Sequence, residues 1–326
     1  MKSRRFGRMG WSVSELVIGG GIVGGILILK DEATRRAALE RATAAGINWI
    51  DTAASYGNGV SEETIGRLRP DLSPRPMIST KFRLAPGDLG DIPAAIERAL
   101  AASLQRLRID RIELYQLHNA LGETAAEGRL APEHVFGPRG VVETLERLKE
   151  QGVIKAIGFT AVGESRACLR AVESGRFDSA QVYYNILNPS AAWERAPADW
   201  PAQDFSGLLA ACARHGVAAM NIRVFAGGAL TGAMRHGREV AITDGAEPER
   251  ELARADAVHR ALGDSHGSRA QTALRFALAE PRLACIVVGL HELAHLDAAL
   301  AAQAAGPLPE SALSRLPALW ARDFRD

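Results

Sequence analysis

Four polar residues follow apolar segments at spacings that suit proton transfer: Asp51, Tyr56, Lys81 and His118. A phenol ordinarily has a pKa of about 10 and releases its proton reluctantly near neutral pH. A lysine beside Tyr56 would favour the phenolate, and Asp51 would keep that lysine protonated and in place. His118 would donate a hydrogen bond to a carbonyl oxygen. The set therefore predicts acid/base chemistry at a carbonyl group.

Short β-branched and apolar runs alternate with helical segments along the chain, which is typical of parallel βα units. Helix periodicity is clear after Asp91, a predicted N-cap, where apolar residues from Ile92 to Leu107 share one face. Eight runs are predicted strands: Leu16–Gly20, Ile47–Ala53, Met77–Lys81, Arg111–Leu117, Ile154–Thr160, Ala180–Tyr184, Ala218–Ile222 and Cys285–Val288. Eight units predict an α/β fold, a (β/α)8 TIM barrel, as one domain over residues 1–326.

The active site of such a barrel lies at the carboxyl ends of its strands, where the four polar residues are predicted to converge. Ser61 is a predicted N-cap for the helix after the second strand. Two connections, residues 119–138 and 187–204, are longer than ordinary βα loops. Long loops commonly carry function. A polar stretch near Gly237–Arg250 is predicted to be a mobile insertion.

Composition excludes several classes of protein. The chain has a formal net charge of +1 at pH 7, and hydrophobic residues make up 47% of it. It lacks a block rich in lysine and arginine, so we predict a small-molecule partner and neither nucleic acid nor membrane. No apolar stretch has signal-peptide or membrane-span length, which predicts a cytoplasmic protein. Cys168, Cys212 and Cys285 are widely spaced, which predicts reduced buried thiols and no cysteine-ligated metal.

The segments DTAASYGNGVSEETIG, ISTKF and YQLHN resemble the catalytic segments of the aldo-keto reductase family, in the family's order and approximate spacing. The similarity continues through FGRMGWSVSEL, IKAIGFT, AQVYYN, AGGALTG and ALRFALAEP. It implies an enzyme that transfers a hydride between NAD(P)(H) and an aldehyde or ketone, or the corresponding alcohol, without a metal. It also implies that Tyr56 is the general acid/base, assisted by Asp51, Lys81 and His118.

The resemblance implies a set of cofactor-binding residues: Gly20, Gly21, Asp51, Thr160, Gln181, Arg223, Val224, Phe225, Leu230, Gly289 and His291. Three departures from the family pattern bear on this set. Thr160-Ala161 replaces a Ser-Asn pair, and residues 222–225 lack the usual stacking aromatic residue followed by Ser-Pro-Leu. His291 stands where a basic residue would bind the 2′-phosphate of NADP(H), so the preference between NADP(H) and NAD(H) stays open.

Substrate selection is assigned to residues around the predicted mouth: Ile22, Asn58, Asn119, Phe136 and the segment Trp193–Trp200. The segments GFT and RVFAGGALTG are similar to the branch of the family that oxidises sugars. An aldose 1-dehydrogenase working in the oxidative direction is therefore an alternative, and the substrate class is a carbonyl compound or a sugar. The sequence leaves the oligomeric state open. A cofactor-binding regulatory protein with vestigial turnover is an alternative from another class.

Two motifs favour rival interpretations. Residues 291–295, His-Glu-Leu-Ala-His, match the zinc hydrolase pattern H-E-x-x-H, for which the sequence offers no obvious third ligand. Gly19, Gly21 and Gly24 match a dinucleotide fingerprint, with Glu40 near the place of a ribose-binding acid. That fingerprint needs a helix that opens at the glycines, whereas the apolar run Ile26–Leu29 intervenes before the helix predicted near residue 31.

Overall fold

The computed structural model describes residues 1–126, 128–232, 237–238, 241–243, 245 and 247–325 of the chain. Eight parallel strands form a closed barrel in which each strand pairs with its neighbours in chain order and the eighth pairs with the first. We label them β1 (Leu16–Gly19), β2 (Trp49–Asp51), β3 (Met77–Phe82), β4 (Ile112–Leu117), β5 (Ile154–Ala161), β6 (Ser179–Tyr183), β7 (Ala218–Ile222) and β8 (Leu283–Gly289).

The predicted (β/α)8 barrel is confirmed, and every predicted strand boundary lies within two residues of the observed one. The largest difference is at β2, which is shorter than the predicted Ile47–Ala53. The side chain of Asn48 binds the N-terminal segment, where it accepts a hydrogen bond from the amide of Ser14, at 2.9 Å. Pairing with β1 ends at Asp51, so the chain is released into a turn immediately after that residue.

One principal helix follows each strand, and β1, β4, β7 and β8 are followed by further helices. The principal helices are α1 (Glu32–Ala44), α2 (Val60–Leu68), α3 (Ile92–Leu107), α4 (Val141–Glu150), α5 (Ser165–Glu173), α6 (Leu208–His215), α7 (Arg269–Leu278) and α8 (Leu293–Ala305). The further helices are Ile26–Leu29, Pro132–Phe136, Pro248–Leu262, Glu310–Leu313 and Leu316–Trp320.

The two predicted helix caps have different outcomes. Asp91 caps α3 by accepting a hydrogen bond from the amide of Ala94, which confirms that prediction. The prediction for Ser61 is wrong, because α2 begins one residue before it, after Gly59 at a φ of 97°. Ser61 instead accepts a hydrogen bond from the Thr52 hydroxyl, at 2.8 Å, and thereby ties α2 to the end of β2.

A hairpin of strands Ser3–Phe6 and Trp11–Ser14, not predicted from the sequence, lies against the amino ends of the barrel strands. Phe6 is fully buried, and its ring centroid lies 4.9 Å from that of Trp49 on β2. Both rings belong to an apolar cluster with residues of five further barrel strands: Val17, Leu114, Ala156, Ala218, Met220, Ala284 and Cys285. The hairpin therefore fills the amino-terminal end of the barrel.

The long connections carry short elements of their own. The first contains strands Ala120–Leu121 and Arg129–Leu130, and the second contains a 3₁₀ turn at Ser190–Ala192. The predicted insertion near Gly237–Arg250 falls partly outside the described residues, at positions 239, 240, 244 and 246. Cys168, Cys212 and Cys285 are free, buried thiols, as predicted. Within the described ranges, no helix combines the length and hydrophobicity that crossing a membrane requires.

Candidate active site

A buried ion pair lies at the carboxyl ends of β2 and β3. Lys81 Nζ donates to Asp51 Oδ2 at 2.6 Å, to the Thr52 carbonyl oxygen at 2.7 Å and to the Tyr56 hydroxyl at 3.4 Å. Lys81 is 1% exposed and Asp51 is 2% exposed. Burial lowers the pKa of Lys81, but the charges of Asp51 and Tyr56 and their hydrogen bonds together outweigh burial, so this pKa lies above its ordinary value. The lysine is therefore a fixed positive charge beneath Tyr56.

The other carboxylate oxygen of Asp51 is saturated by neutral donors. Oδ1 accepts from Ser79 Oγ at 2.6 Å, from Gln181 Nε2 at 2.9 Å and from Gln116 Nε2 at 3.1 Å. Ser79 and Gln116 are two residues of this cluster that the sequence reasoning missed. Each is a fully buried polar residue within a barrel strand, and a polar residue inside a predicted strand is the signal that could have identified them. These donors satisfy the lone pairs of a buried carboxylate oxygen without adding a charge.

Tyr56 lies in the turn after β2, and the backbone of that turn fixes its position. The Tyr56 amide donates to the Ala53 carbonyl oxygen at 3.0 Å, and the Ala54 amide donates to the Lys81 carbonyl oxygen at 3.1 Å. Lys81 Nζ lies 4.9 Å from the ring centroid of Tyr56. On the other side, a Cβ added at Gly21 would lie 3.6 Å from the ring. The phenol is thus held between a cation and bare backbone, with its oxygen toward the ammonium group.

His118 follows β4 and completes the group. Its amide donates to the Phe82 carbonyl oxygen at 2.9 Å, and its ring meets the Tyr56 ring edge-on, at a centroid distance of 5.7 Å. Burial, followed by the positive charges of Lys81 and Arg83, lowers the pKa of His118 to about 2. The imidazole is therefore neutral at physiological pH, with one nitrogen available as a donor. Within the described part of the chain, its Nδ1 has no hydrogen-bond partner.

Thr160 and Gln181 are partners in the register of β5 and β6, so their side chains lie beside each other inside the barrel. Thr160 is 4% exposed, and its hydroxyl has no partner among the described residues. Gln181 uses its amide nitrogen on Asp51, and no described residue donates to its Oε1. A hydroxyl donor next to an amide oxygen complements a carboxamide, which offers one carbonyl oxygen and one NH₂ group. The pair fits the nicotinamide carboxamide that the family resemblance implies.

The glycines at the ends of β1 and β8 have different surroundings. A Cβ at Gly20 would lie 2.4 Å from Ser61 Oγ, and a Cβ at Gly24 would lie 2.4 Å from the Leu290 amide nitrogen. Packing within the protein therefore requires both glycines. Gly289 is exposed, and the nearest atoms to a Cβ added there belong to Gly24, at 3.8 Å. Gly289 thus presents bare backbone at the rim of the barrel.

Arg223 lies immediately after β7 with a φ of 61°, a backbone conformation that is costly for a residue with a side chain. Asn185 Nδ2 donates to the Arg223 carbonyl oxygen at 3.0 Å, which helps to hold this geometry. Burial lowers the pKa of Arg223, and the hydroxyls of Tyr183 and Tyr56 act in the opposite direction. The residue is half-buried at the carboxyl end of β7.

Two other candidate cofactor residues on this segment, Val224 and Leu230, are buried, at 1% and 3% exposure, whereas Phe225 is half-buried. Leu230 borders a small pocket together with Ala255 and Val258 of the helix Pro248–Leu262. Leu230 therefore faces the supporting helix.

The candidate substrate residues differ in their burial and in their contacts. Ile22 is half-buried and Asn58 is exposed. Asn119 is 4% exposed, and its amide exchanges two hydrogen bonds with the backbone of Leu84, at 2.8 and 2.9 Å. Phe136 lies edge-on to the buried Phe177, at a centroid distance of 6.4 Å. Asn119 and Phe136 thus brace the scaffold of the mouth.

The tryptophans of the second long connection form an aromatic group with the C-terminal segment. The ring centroid of Trp193 lies 4.8 Å from that of Trp200 and 5.6 Å from that of Trp320. Trp320 Nε1 also donates to the Ile186 carbonyl oxygen at 2.8 Å. The C-terminal segment therefore packs against the second long connection.

The H-E-x-x-H pattern does not adopt zinc hydrolase geometry. His291 and Glu292 precede α8, which begins at Leu293, so the two histidines are not one helical turn apart on a helix. His291 Nδ1 lies 3.0 Å from the Gly24 carbonyl oxygen, and His295 Nε2 lies 3.5 Å from Glu292. Among the described residues, no three His, Cys, Asp or Glu side chains gather as a metal site would require.

The dinucleotide fingerprint is not confirmed either. The only helix directly after Gly19, Gly21 and Gly24 is the four-residue segment Ile26–Leu29, within the described part of the chain. The long helix α1 begins at Glu32, capped by Asp31. The glycines therefore do not place the amino end of a long helix beside the end of β1, as the fingerprint requires.

Comparison with known proteins agrees with the barrel fold. The sequence profile of the Aldo/keto reductase family matches residues 15–321, so the chain belongs to this family. D-threo-aldose 1-dehydrogenase of Pseudomonas sp is 30% identical over 230 residues, which are 62% of this chain and 66% of the relative. NADH-specific methylglyoxal reductase of Escherichia coli (strain K12) is 28% identical over 216 residues, which are 60% of this chain and 63% of the relative.

The aldo-keto reductase AKR11C1 from Bacillus halodurans, in its holo form, is a solved structure of the same fold. It superposes with a TM-score of 0.73 at 23% identity, covering 98% of this chain and 96% of that chain. This likeness establishes the fold. The matched segments span between about half and two thirds of the length of the curated relatives.

Proposed function

We propose that the protein is an NAD(P)(H)-dependent oxidoreductase that interconverts an aldehyde or ketone and the corresponding alcohol, with Tyr56 as the general acid/base. The observation that carries the proposal is the saturated Asp51–Lys81 pair directly beneath the Tyr56 hydroxyl. An ion pair that only stabilised the fold would not require a partly exposed phenol as the third hydrogen-bond acceptor of Lys81. Family membership supports the same chemistry.

In the reductive direction, Tyr56 transfers its hydroxyl proton to the substrate carbonyl oxygen, and the coenzyme, when bound, supplies a hydride to the carbonyl carbon. Lys81 stabilises the phenolate that remains, because its buried charge lies 3.4 Å from the phenol oxygen. Asp51 keeps Lys81 charged and stationary. His118, being neutral, directs an N–H donor to the carbonyl oxygen and orients it toward Tyr56. In the oxidative direction, the phenolate takes the proton back.

Coenzyme binding is assigned first to Thr160 and Gln181, which hold the carboxamide and thereby select the nicotinamide face. Gly21 and Gly289 allow close approach of the coenzyme to backbone at the ends of β1 and β8. Arg223 follows β7 at the mouth, and its half-buried cationic group is suited to an anionic part of the coenzyme. Asp51 contributes indirectly, because it holds Gln181 in place.

A second candidate function is oxidation of an aldose at its anomeric carbon by the same residues. The D-threo-aldose 1-dehydrogenase relative, 30% identical over its matched segment, favours it. The chemistry differs only in direction, since a sugar hemiacetal carries the hydroxyl whose proton the phenolate removes. The methylglyoxal reductase relative favours the reductive alternative.

Fluorescence titration with NADPH and with NADH tests the proposal first, followed by turnover of aldehydes and ketones with the reduced coenzyme and of aldoses with the oxidised one. We expect binding of at least one coenzyme and turnover in at least one direction. Binding without turnover on any substrate would favour a regulatory protein with vestigial activity. Absence of binding to either coenzyme would refute the proposed function.

A further inference from the structure

A second buried carboxylate, that of Glu62, lies on the helix side of β3. Glu62 belongs to the first turn of α2 and is fully buried. Its Oε1 accepts a hydrogen bond from Thr80 Oγ1 at 2.5 Å, and its Oε2 accepts from Nε and Nη2 of Arg106, each at 2.7 Å. Thr80 belongs to β3 and Arg106 to α3. One side chain therefore joins three elements, and we call these three residues the Glu62 brace.

Thr80 stands between two residues of β3 that face the interior of the barrel. Ser79 and Lys81 both donate to the Asp51 carboxylate, each at 2.6 Å. Successive side chains of a strand point to opposite faces, so Thr80 faces the helices. Its bond to Glu62 fixes β3 at the level of Lys81. The strand that carries the lysine is therefore held from both of its faces.

The first turn of α2 also holds the chain that carries Tyr56. The Ser61 amide donates to the Tyr56 carbonyl oxygen at 3.3 Å. The connection between them, residues 57–59, has φ values of 61°, 51° and 97°. Three successive left-handed residues are uncommon, so this path depends on contacts at the start of the helix. One such contact is at Gly59, where an added Cβ would lie 2.8 Å from Arg106 Cδ.

A charged brace is not needed merely to attach α2 to the barrel. The helix already packs through Ile65 and Leu68, which are 0% and 1% exposed. A buried ion pair is a weak source of stability, because the cost of removing two charges from water offsets their attraction. Hydrogen bonds to a carboxylate do impose distance and direction. The Glu62 brace therefore fixes where α2 begins relative to β3.

We propose that Glu62 is a positioning residue that sets the distance between the Tyr56 hydroxyl and Lys81 Nζ, which is 3.4 Å. The inference rests on the proposed function, in which Tyr56 transfers the proton. Lys81 belongs to β3 and Tyr56 to the turn before α2, so the bond between Glu62 and Thr80 controls their separation from outside the barrel. Loss of this bond lets the phenol move away from the ammonium group. The phenolate is then less stabilised and forms at a higher pH.

The absorbance of phenolate during an alkaline titration tests this inference without requiring turnover. The chain has four tyrosines, and burial raises the pKa of Tyr115, Tyr183 and Tyr184. Tyr56 is half-buried beside a cation, so we expect its phenolate to form first. Tyr56→Phe identifies this first transition by abolishing it. The pH dependence of kcat reports the same group during turnover.

Two variants loosen the Glu62 brace and leave its charges in place. Thr80→Val replaces the hydroxyl by a methyl group, and Glu62→Asp shortens the side chain so that its carboxylate cannot reach both partners. In both variants we expect the first phenolate transition to rise by about one pH unit. We expect kcat to fall about tenfold, with a smaller change in KM, because the proton donor is misplaced. Thr80→Ser keeps the hydroxyl and is expected to titrate as wild type does.

Glu15→Asp is the matched control for Glu62→Asp. Glu15 directly precedes β1 and is 8% exposed. Its carboxylate also binds one arginine and one neutral donor, accepting from Arg4 Nε at 3.0 Å and from Gln303 Nε2 at 2.8 Å. The same shortening is expected to lower the free energy of unfolding in both variants. Only Glu62→Asp is expected to move the first phenolate transition.

The outcomes separate this inference from the proposed function. If Thr80→Val and Glu62→Asp titrate as Glu15→Asp does, the inference is wrong while the proposed function stands. An equal shift in Thr80→Ser and Thr80→Val also contradicts it, because the hydroxyl would then play no part. If the transition shifts as expected but wild type turns over no carbonyl compound or aldose, the positioning of Tyr56 is confirmed and the proposed function fails.

Discussion

Gln181 on β6 donates a hydrogen bond to Asp51 on β2, from Nε2 to Oδ1 over 2.9 Å. The two residues lie on opposite sides of the barrel, so this bond crosses its interior and links the acid/base group to the proposed carboxamide site. Gln116 donates to the same oxygen from β4, but it is not a register partner of Thr160. Both glutamines therefore support the Asp51 carboxylate, whereas only Gln181 also lies beside Thr160 at the proposed carboxamide site.

The variants Gln181→Leu and Gln116→Leu separate support of Asp51 from coenzyme binding. Each substitution removes one donor from a buried carboxylate, so each is expected to lower the free energy of unfolding by about 1–3 kcal/mol. Only Gln181→Leu is expected to weaken coenzyme binding, about tenfold, because it alone removes the amide oxygen beside Thr160. Chemical denaturation and fluorescence titration measure the two effects. Equal coenzyme affinities in both variants would remove Gln181 from the proposed site.

Thr160→Val replaces a buried hydroxyl without a described partner by a methyl group of similar volume. Because no hydrogen bond within the described protein is lost, we expect the free protein to be as stable as wild type or slightly more stable. Coenzyme affinity should fall about tenfold if the hydroxyl binds the carboxamide. Thermal unfolding with and without coenzyme measures both quantities. A stability loss without a change in affinity would show that Thr160 serves the fold.

Tyr56→Phe keeps the ring between Lys81 and Gly21 and removes only the hydroxyl. We expect kcat to fall by about 10²–10⁴-fold, the usual contribution of a positioned acid/base, while the coenzyme dissociation constant changes little. Single-turnover kinetics with saturating coenzyme provides the measurement. Near-normal turnover in this variant would contradict the assignment of Tyr56 as the proton donor.

His118 carries a pH dependence of stability whose sign follows from its lowered pKa. The unfolded chain binds a proton at an ordinary histidine pKa of about 6.5, whereas the native ring stays neutral down to about 2. Below pH 6.5 protonation therefore favours unfolding, by about 1.4 kcal/mol per pH unit. Between pH 7 and 5 we expect wild type to lose about 2 kcal/mol more than His118→Gln. Parallel stability curves from chemical denaturation would contradict this.

The barrel was predictable because each parallel strand, buried on both faces, needs a continuous apolar run that stands out in the sequence. The Ser3–Phe6 and Trp11–Ser14 strands gave no such signal, since only Phe6 of the first strand is buried. Their pairing depends on the finished barrel end against which Phe6 and Trp11 pack. The surface beneath the hairpin is formed by residues of six strands that lie far apart in the sequence, so the local sequence of the hairpin does not predict it.

The convergence of the proposed catalytic residues was predictable, whereas the residues that support them were not. Asp51, Lys81 and His118 stand at strand ends, where a TIM barrel places its chemistry. Ser79 and Gln116 lie inside strands, and their role depends on which neighbouring side chains point inward at the same level.

The amino-terminal hairpin has a consequence for the opposite end of the barrel. Phe6, Trp11 and Trp49 pack together and cover the amino ends of the strands. The proposed coenzyme and substrate would then share the opening at the carboxyl ends. Three aromatic rings at one end of the barrel thus assign both proposed ligands to the other end, although the rings lie far from either of them.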